Sequence, residues 1–340
     1  MIIKELPEDF RVNEILSIEK DNNGKYILCK IKRISMDHFT MISLIAQYFR
    51  IPEKKVGFAG IKDRNAVITQ YISLPLDCNS KFAEEPIIIQ AGSTFLSIDK
   101  MNRINNPLSI GSLEANEFEI VIKNVNDNER ESFDSKITKL DNYLFPNYFG
   151  DQRFGVNYNN VRIGYHILKR NFSNANTLLG LEESNNPLAE LRRTPRRLRM
   201  LMISAFQSAV FNAVLSSSIE QKKLDILKLN NEPLETIILL SKDRKYNDNF
   251  NYKNLADTFP LPGLGMERNS DVDRILDYLS ISERDFAIRQ MPELMFEPAT
   301  RNSYVKTTIC HERLDNNTFK IKFKLPKGSY ATILVESLFH

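Results

Sequence analysis

The amino-acid sequence predicts an α/β (α+β) protein in which one sheet-containing domain is interrupted by a mostly helical insertion. Short segments of alternating polarity fill the first 125 residues, helical periodicity takes over between Glu129 and about Ser303, and alternation returns after about Tyr304. A chain of 340 residues corresponds to roughly two domains. If strands at both ends belong to one of them, the two ends must meet.

Taken in order, Phe10–Ile15 and Tyr26–Ile31 alternate with period two and read as strands. From Asp37 to Phe49 the apolar positions Phe39, Met41, Ile42, Leu44, Ile45, Tyr48 and Phe49 recur at helical spacing, and Pro52 ends the pattern. Val56–Gly60 then leads through Ile61–Asn65 into Val67–Leu74, which places the triplet Lys62-Asp63-Arg64 in a loop between two strands. Phe118, Ile120 and Ile122 mark another half-buried strand. In the middle region, Arg196 to about Ser217 is apolar on nearly every face and belongs in a core. Near the end, Phe319, Ile321, Phe323 and Leu325 alternate with lysines before Pro326-Lys327-Gly328-Ser329 turns into a short apolar helix.

Composition excludes more than it selects. With 42% hydrophobic and 26% charged residues the chain is expected to fold as an ordinary globular protein, and a net charge of +3 names no partner. The charge is unevenly spread: residues 220–300 are net acidic, whereas both ends are net basic. Three scattered cysteines without C-x-x-C spacing, a start that breaks into charge after Ile3, and the lack of an ~18-residue apolar run predict a cytoplasmic protein. His38, His166, His311 and His340 are dispersed, so no metal site is expected. Signatures of P-loop, dinucleotide-binding, zinc-protease and serine-hydrolase sites are absent.

Two segments carry candidate chemistry. Asp63 stands between two cations on a glycine-containing loop, an arrangement that suits a nucleophile or a general acid–base but also an ordinary surface turn. Arg192, Arg193, Arg196, Arg197 and Arg199 crowd the start of the apolar helix, densely enough to contact phosphates, the alternative being a solvated helix start.

The segments together resemble the TruD family of tRNA pseudouridine synthases. The resemblance rests on Lys4-x-x-Pro7-Glu8-Asp9-Phe10-x-Val12-x-Glu14, Phe58-Ala59-Gly60-x-Lys62-Asp63-x-x-Ala66-Val67-x-x-Gln70 and Gly111-x-Leu113-x-x-Asn116-x-Phe118. It continues through Asn147-Tyr148-Phe149-Gly150-x-Gln152-Arg153-Phe154-Gly155, Gln207-Ser208-x-x-Phe211-Asn212, Leu261-Pro262-Gly263 and Leu325-Pro326-x-Gly328-Ser329-Tyr330-Ala331-Thr332. It implies a pseudouridine synthase catalytic domain with a mixed, mainly antiparallel sheet, formed by residues 1–145 and 301–340, and a TRUD insertion domain at 146–300. It also implies a cofactor-free, metal-free isomerisation of uridine in tRNA, most characteristically uridine 13 of the D-arm. Asp63 would be the nucleophile and Lys4 its electrostatic partner, while Phe10, Asn116, Phe118 and Tyr330 would line the uracil pocket. Arg192, Arg193, Arg196 and Arg197 would contact RNA. Gln207 and Asn212 are expected to hydrogen-bond within the insertion. The chain departs from the family pattern at Ala115, where glycine is common, at Tyr330, where bacterial members carry phenylalanine, and at Val335, where arginine commonly precedes the glutamate. The rival reading is a tRNA-binding or tRNA-folding protein that uses the same residues without chemistry.

Overall fold

The computed structural model describes every residue except Lys20, Asn22, Glu84, Gly92, Ser93, 221–231 and 248–249. The chain packs as two compact units. The first comprises Met1–Tyr143, Lys306–Ala331 and Leu338–His340, and the second Leu144–Val305 with Thr332–Ser337.

The strands, in chain order, are β1 (Ile2–Ile3), β2 (Phe10–Leu16), β3 (Tyr26–Ile34), β4 (Gly57–Phe58), β5 (Val67–Pro75), β6 (Ile87–Ala91), β7 (Thr94–Ile104), β8 (Leu113–Lys123), β9 (Tyr143–Pro146), β10 (Thr258–Leu261), β11 (Ala299–Asn302), β12 (Tyr304–Thr307), β13 (Ile309–Arg313) and β14 (Phe319–Pro326). In the first unit they form one sheet of order β13-β14-β8-β2-β5-β3-β7-β6, with β1 on β8 and β4 on β5. Only β2 and β5 pair in parallel among its described ladders. The sheet is mixed and mainly antiparallel, as the resemblance implies.

Alternation along the strands puts a single set of side chains on one face: Ile27, Cys29 and Ile31 from β3, Phe10 and Val12 from β2, Phe118, Ile120 and Ile122 from β8, and Phe319, Ile321 and Phe323 from β14. Two helices cover its ends. On one side α1 (His38–Phe49), capped by the Asp37 carboxylate on the Phe39 and Thr40 amides, buries Met41, Ile42, Ile45 and Phe49 against β3 and β7. On the other, α2 (Asp127–Lys136) sets Phe133 against Phe319 and Phe339, each with ring centroids 5.0 Å away. The middle of this face, over β2 and β8, is where the candidate site lies.

The second unit is mostly helical: α3 (Asn159–Leu168), α4 (Phe172–Leu178), α5 (Pro187–Arg193), α6 (Arg196–Glu220), α7 (Pro233–Lys242) and α8 (Ser270–Tyr278), with β10 and β11 as a two-stranded ribbon. By length and apolarity α6 would suffice to cross a bilayer, yet Ala205, Phe206, Ala209, Val210, Phe211, Ala213 and Val214 are wholly buried in this unit. Gly164 lets α3 approach α6 closely, since a Cβ there would stand 2.2 Å from the Met202 carbonyl oxygen. Gln207 and Asn212 are hydrogen-bonded inside the unit as expected. Gln207 Nε2 donates to the Pro262 carbonyl at 2.6 Å, and Asn212 accepts from the Phe149 amide at 2.9 Å while donating to the Phe149 carbonyl at 3.0 Å. The last helix, α9, spans Ala331–Phe339.

Candidate active site

Three loops converge at one end of the β2–β8 face. The Gly57–Arg64 segment leaves β4, and the Ala59 carbonyl accepts from the Gly111 amide at 2.9 Å. The Pro326–Tyr330 turn leaves β14, and Lys327 donates to the Glu114 carbonyl through its amide, at 3.3 Å, and to the Gly111 carbonyl through Nζ, at 3.0 Å. The stretch from Gly111 to Glu114 is therefore the common anchor for both the loop carrying Asp63 and the turn carrying Tyr330.

Asp63 pairs with Lys4, whose Nζ contacts Oδ2. The side chains keep 28% and 23% of their surface, so the pair is sheltered but reachable. Lys4 adopts φ 64°, an unusual left-handed backbone for a lysine, and its ammonium lies 4.0 Å from the centroid of the Phe10 ring. Phe10 in turn meets Phe118 edge to face at 6.0 Å, and Phe118 stacks on Phe323 at 5.4 Å. Phe10 and Phe118 are 3% and 8% exposed, so they are packed as the floor of the site and form part of the sheet's core at the same time.

The neighbouring cation is not the partner of Asp63. Lys62 turns inward, where Nζ sits 2.8 Å from Glu14 Oε2 and donates to Asn116 Oδ1 at 2.6 Å. Glu14 is fully buried and takes a further hydrogen bond from the Tyr71 amide at 3.3 Å. Reading the charged triplet as a carboxylate flanked by its own compensating cations is thus replaced by a different geometry. Lys4, 59 residues away, faces Asp63, and Lys62 neutralises a buried carboxylate. Arg64 is exposed.

Behind the loop lies Arg33, which sequence reasoning missed. It is wholly buried, donates through Nη2 to the Lys62 carbonyl at 3.0 Å, through Nε to Gln70 Oε1 at 3.3 Å and through Nη1 to the Met36 carbonyl. Burial pulls its guanidinium down to about 10, opposed by the charges of Asp37 and Asp63, so it remains cationic at neutral pH. The signal for both Arg33 and Glu14 was parity: Arg33 follows Ile27, Cys29 and Ile31, and Glu14 follows Phe10 and Val12, on the inward face.

The contacts close a circuit: Asp63 to Lys4, Lys4 to Phe10, Phe10 to Phe118, along β8 to Asn116, and from Asn116 through Lys62 back to its peptide neighbour Asp63. Such a constellation offers an accessible carboxylate, an aromatic floor and an amide. Among the described residues no group of three or more His, Cys, Asp and Glu side chains is placed to hold a metal ion.

Tyr330 is half-buried on the turn before α9. Ala115, 2% exposed, sits between Ile15 and Pro326 in the sheet, at the step where the β2–β8 register shifts. Glu336, whose usual preceding arginine is absent, is bound within the second unit by Arg244, at 3.0 and 3.1 Å, and by the Tyr246 hydroxyl at 2.9 Å. Arg192, Arg193, Arg196 and Arg197 are exposed at the α5–α6 corner, whereas Arg199 is buried and paired with Glu293 at 2.7 Å. The five-arginine cluster therefore presents four guanidinium groups to solvent.

The chain is similar to known proteins over almost its whole length. The family model described as tRNA pseudouridine synthase D (TruD) matches residues 1–189 and 178–338. The tRNA pseudouridine synthase D of Sulfurimonas denitrificans is 28% identical over 98% of this chain and 94% of that protein, and that of Aquifex aeolicus is 28% identical over 99% and 97%. The crystal structure of the putative tRNA pseudouridine synthase D from Methanosarcina mazei shares the fold, with a TM-score of 0.64 and 21% identity over 99% of this chain and 93% of that one. With the family match running almost end to end over the residues that build the Asp63 circuit, the chain belongs to the tRNA pseudouridine synthase D (TruD) family.

Proposed function

We propose that this protein isomerises uridine 13 in the D-arm of tRNA to pseudouridine without a cofactor, with Asp63 as the nucleophile. Family membership makes the chain a pseudouridine synthase, and the accessible Asp63–Lys4 pair above an aromatic floor is the observation that carries the assignment of roles. Uridine and pseudouridine are isomers. The N1–C1′ bond breaks, the base turns, a C5–C1′ bond forms, and the proton lost from C5 is balanced by one gained at N1, so no oxidant, reductant or water is consumed.

In this reading Lys4 pairs with the carboxylate and keeps it aimed while uracil, flipped out of the RNA, rests against Phe10 and Phe118 and is bounded by Asn116 and Tyr330. Residues 1–145 and 301–340 act as the catalytic domain, and 146–300 as the family's insertion. Arg192, Arg193, Arg196 and Arg197 supply phosphate contacts, and the enzyme works in the cytoplasm.

The test is pseudouridine mapping in a tRNA transcript incubated with wild type and with Asp63→Asn. Wild type is expected to modify position 13 and the variant to leave no detectable product. Turnover by a folded Asp63→Asn protein removes Asp63 as nucleophile, and tRNA binding without turnover by wild type favours the non-catalytic rival.

A further inference from the structure

Phenylalanine walls accept either pyrimidine, so a pocket floored by Phe10 and Phe118 needs a hydrogen-bonding group to tell uracil from cytosine. The bases differ at position 4, where uracil carries a carbonyl acceptor and cytosine an amino donor. Asn116 is the amide beside this floor, two residues from Phe118 on the same face of β8. A free asparagine amide could turn either its acceptor or its donor end to a base.

Here the choice is made from behind. Lys62 Nζ stands 2.6 Å from the Asn116 side-chain oxygen, and because an ammonium has only donors, the atom facing it has to be the oxygen. Lys62 is itself immobilised, by Glu14 at 2.8 Å on its ammonium and by Arg33 at 3.0 Å on its carbonyl. With Oδ1 committed to Lys62, the Asn116 Nδ2 group makes no hydrogen bond to any described residue and has two donors left for a ligand.

We propose that Lys62, positioned by Glu14, locks the Asn116 amide as a donor toward the base, and that this lock selects uracil over cytosine through the 4-carbonyl oxygen. The inference rests on the pseudouridine synthase reading of the pocket. Lys62 and Glu14 are positioning residues, acting through Asn116.

The experiment measures binding in the Asp63→Asn background, where uridine is not consumed. Two transcripts are compared, differing only by uridine or cytidine at the position wild type modifies, together with short oligouridylate and oligocytidylate, which require no knowledge of that position. A uridine preference of roughly tenfold to hundredfold is expected. Lys62→Met should bring the ratio to near one, Lys62→Arg should retain most of it, and Asn116→Asp, which can only accept, should reverse it toward cytidine. Because Lys62→Met leaves Glu14 buried without its cation, the double variant Glu14→Gln with Lys62→Met repeats the test on a neutral pair. An unchanged uridine-to-cytidine ratio in either folded variant overturns the inference even if wild type makes pseudouridine. If wild type makes none but the ratio behaves as expected, the enzymatic reading fails and the lock stands as the selectivity device of a uridine-binding protein.

Discussion

Lys4 reaches Asp63 from a strained backbone and with its ammonium over an aromatic ring, so three separate restraints hold one side chain. A charge-assisted hydrogen bond of this kind contributes about 1.5–3 kcal/mol. If it acts in the transition state, Lys4→Met should lower kcat/KM about tenfold to hundredfold, and Lys4→Arg should recover part of the loss; single-turnover rates on a tRNA transcript measure both. Asp63 was a candidate from its charged loop alone, but Lys4 was legible only through the motif that carries it, because charge spacing along the chain pointed to Lys62 as the neighbour that mattered. Glu14 and Arg33 stayed hidden for a physical reason. A charge at an inward position of a strand reads as the end of the hydrophobic pattern unless its partner is known, and their partners lie on a loop and a strand tens of residues away.

At the scale of elements, periodicity was a good guide wherever one face is wet and the other dry. The β2, β3, β8 and β14 strands and the α1 helix all fall where alternation or helical spacing placed them. The α6 helix was legible as a core helix because its apolar residues crowd every face, but what its polar residues do became visible only in three dimensions. Asn212 bridges the amide and carbonyl of Phe149 within a buried stretch, pairing its side-chain amide with backbone polar groups of the irregular segment before Asp151. Asn212→Leu removes both of these buried hydrogen bonds, and a loss of about 2–4 kcal/mol is expected, read as a lower urea midpoint with the slope unchanged. A similar midpoint for variant and wild type would mean that water or a local shift supplies those bonds.

For the whole molecule, the uneven charge of the sequence takes on a more specific meaning. The basic C-terminal segment owes much of its charge to Lys320, Lys322 and Lys324, and these lysines face Glu119, Glu117 and Glu114 across the β14–β8 ladder at 3.3, 3.4 and 2.8 Å. Their charge is largely answered within the sheet. Arg196, by contrast, donates to the carbonyl of Glu293 at 3.0 and 3.1 Å, a neutral acceptor that leaves its cation available. Arg196→Ala is accordingly expected to reduce the slope of log affinity against log salt for tRNA by about one, with a much smaller change for Lys322→Ala; filter binding across a salt series distinguishes them. An equal effect of the two would return the β14 lysines to the RNA-binding surface.

The same ladder governs the order in which the protein can be built. As the chain leaves the ribosome, β8 has β1 and β2 available from the start, but its other principal neighbour, β14, follows about two hundred residues later, after the Leu144–Val305 stretch of the second unit has been synthesised. Until then β8 is an unprotected edge able to pair with the wrong strand. On such an edge the like charges of Glu117 and Glu119, which Asn13 and Arg11 of β2 meet at 3.3 and 3.7 Å, are expected to discourage two nascent chains from joining there before the lysines arrive. Closing so long a loop is slow, so β14 is among the last strands to join the sheet. The Pro326–Tyr330 turn that completes the site follows it directly, and catalytic competence is expected to be the final event of folding.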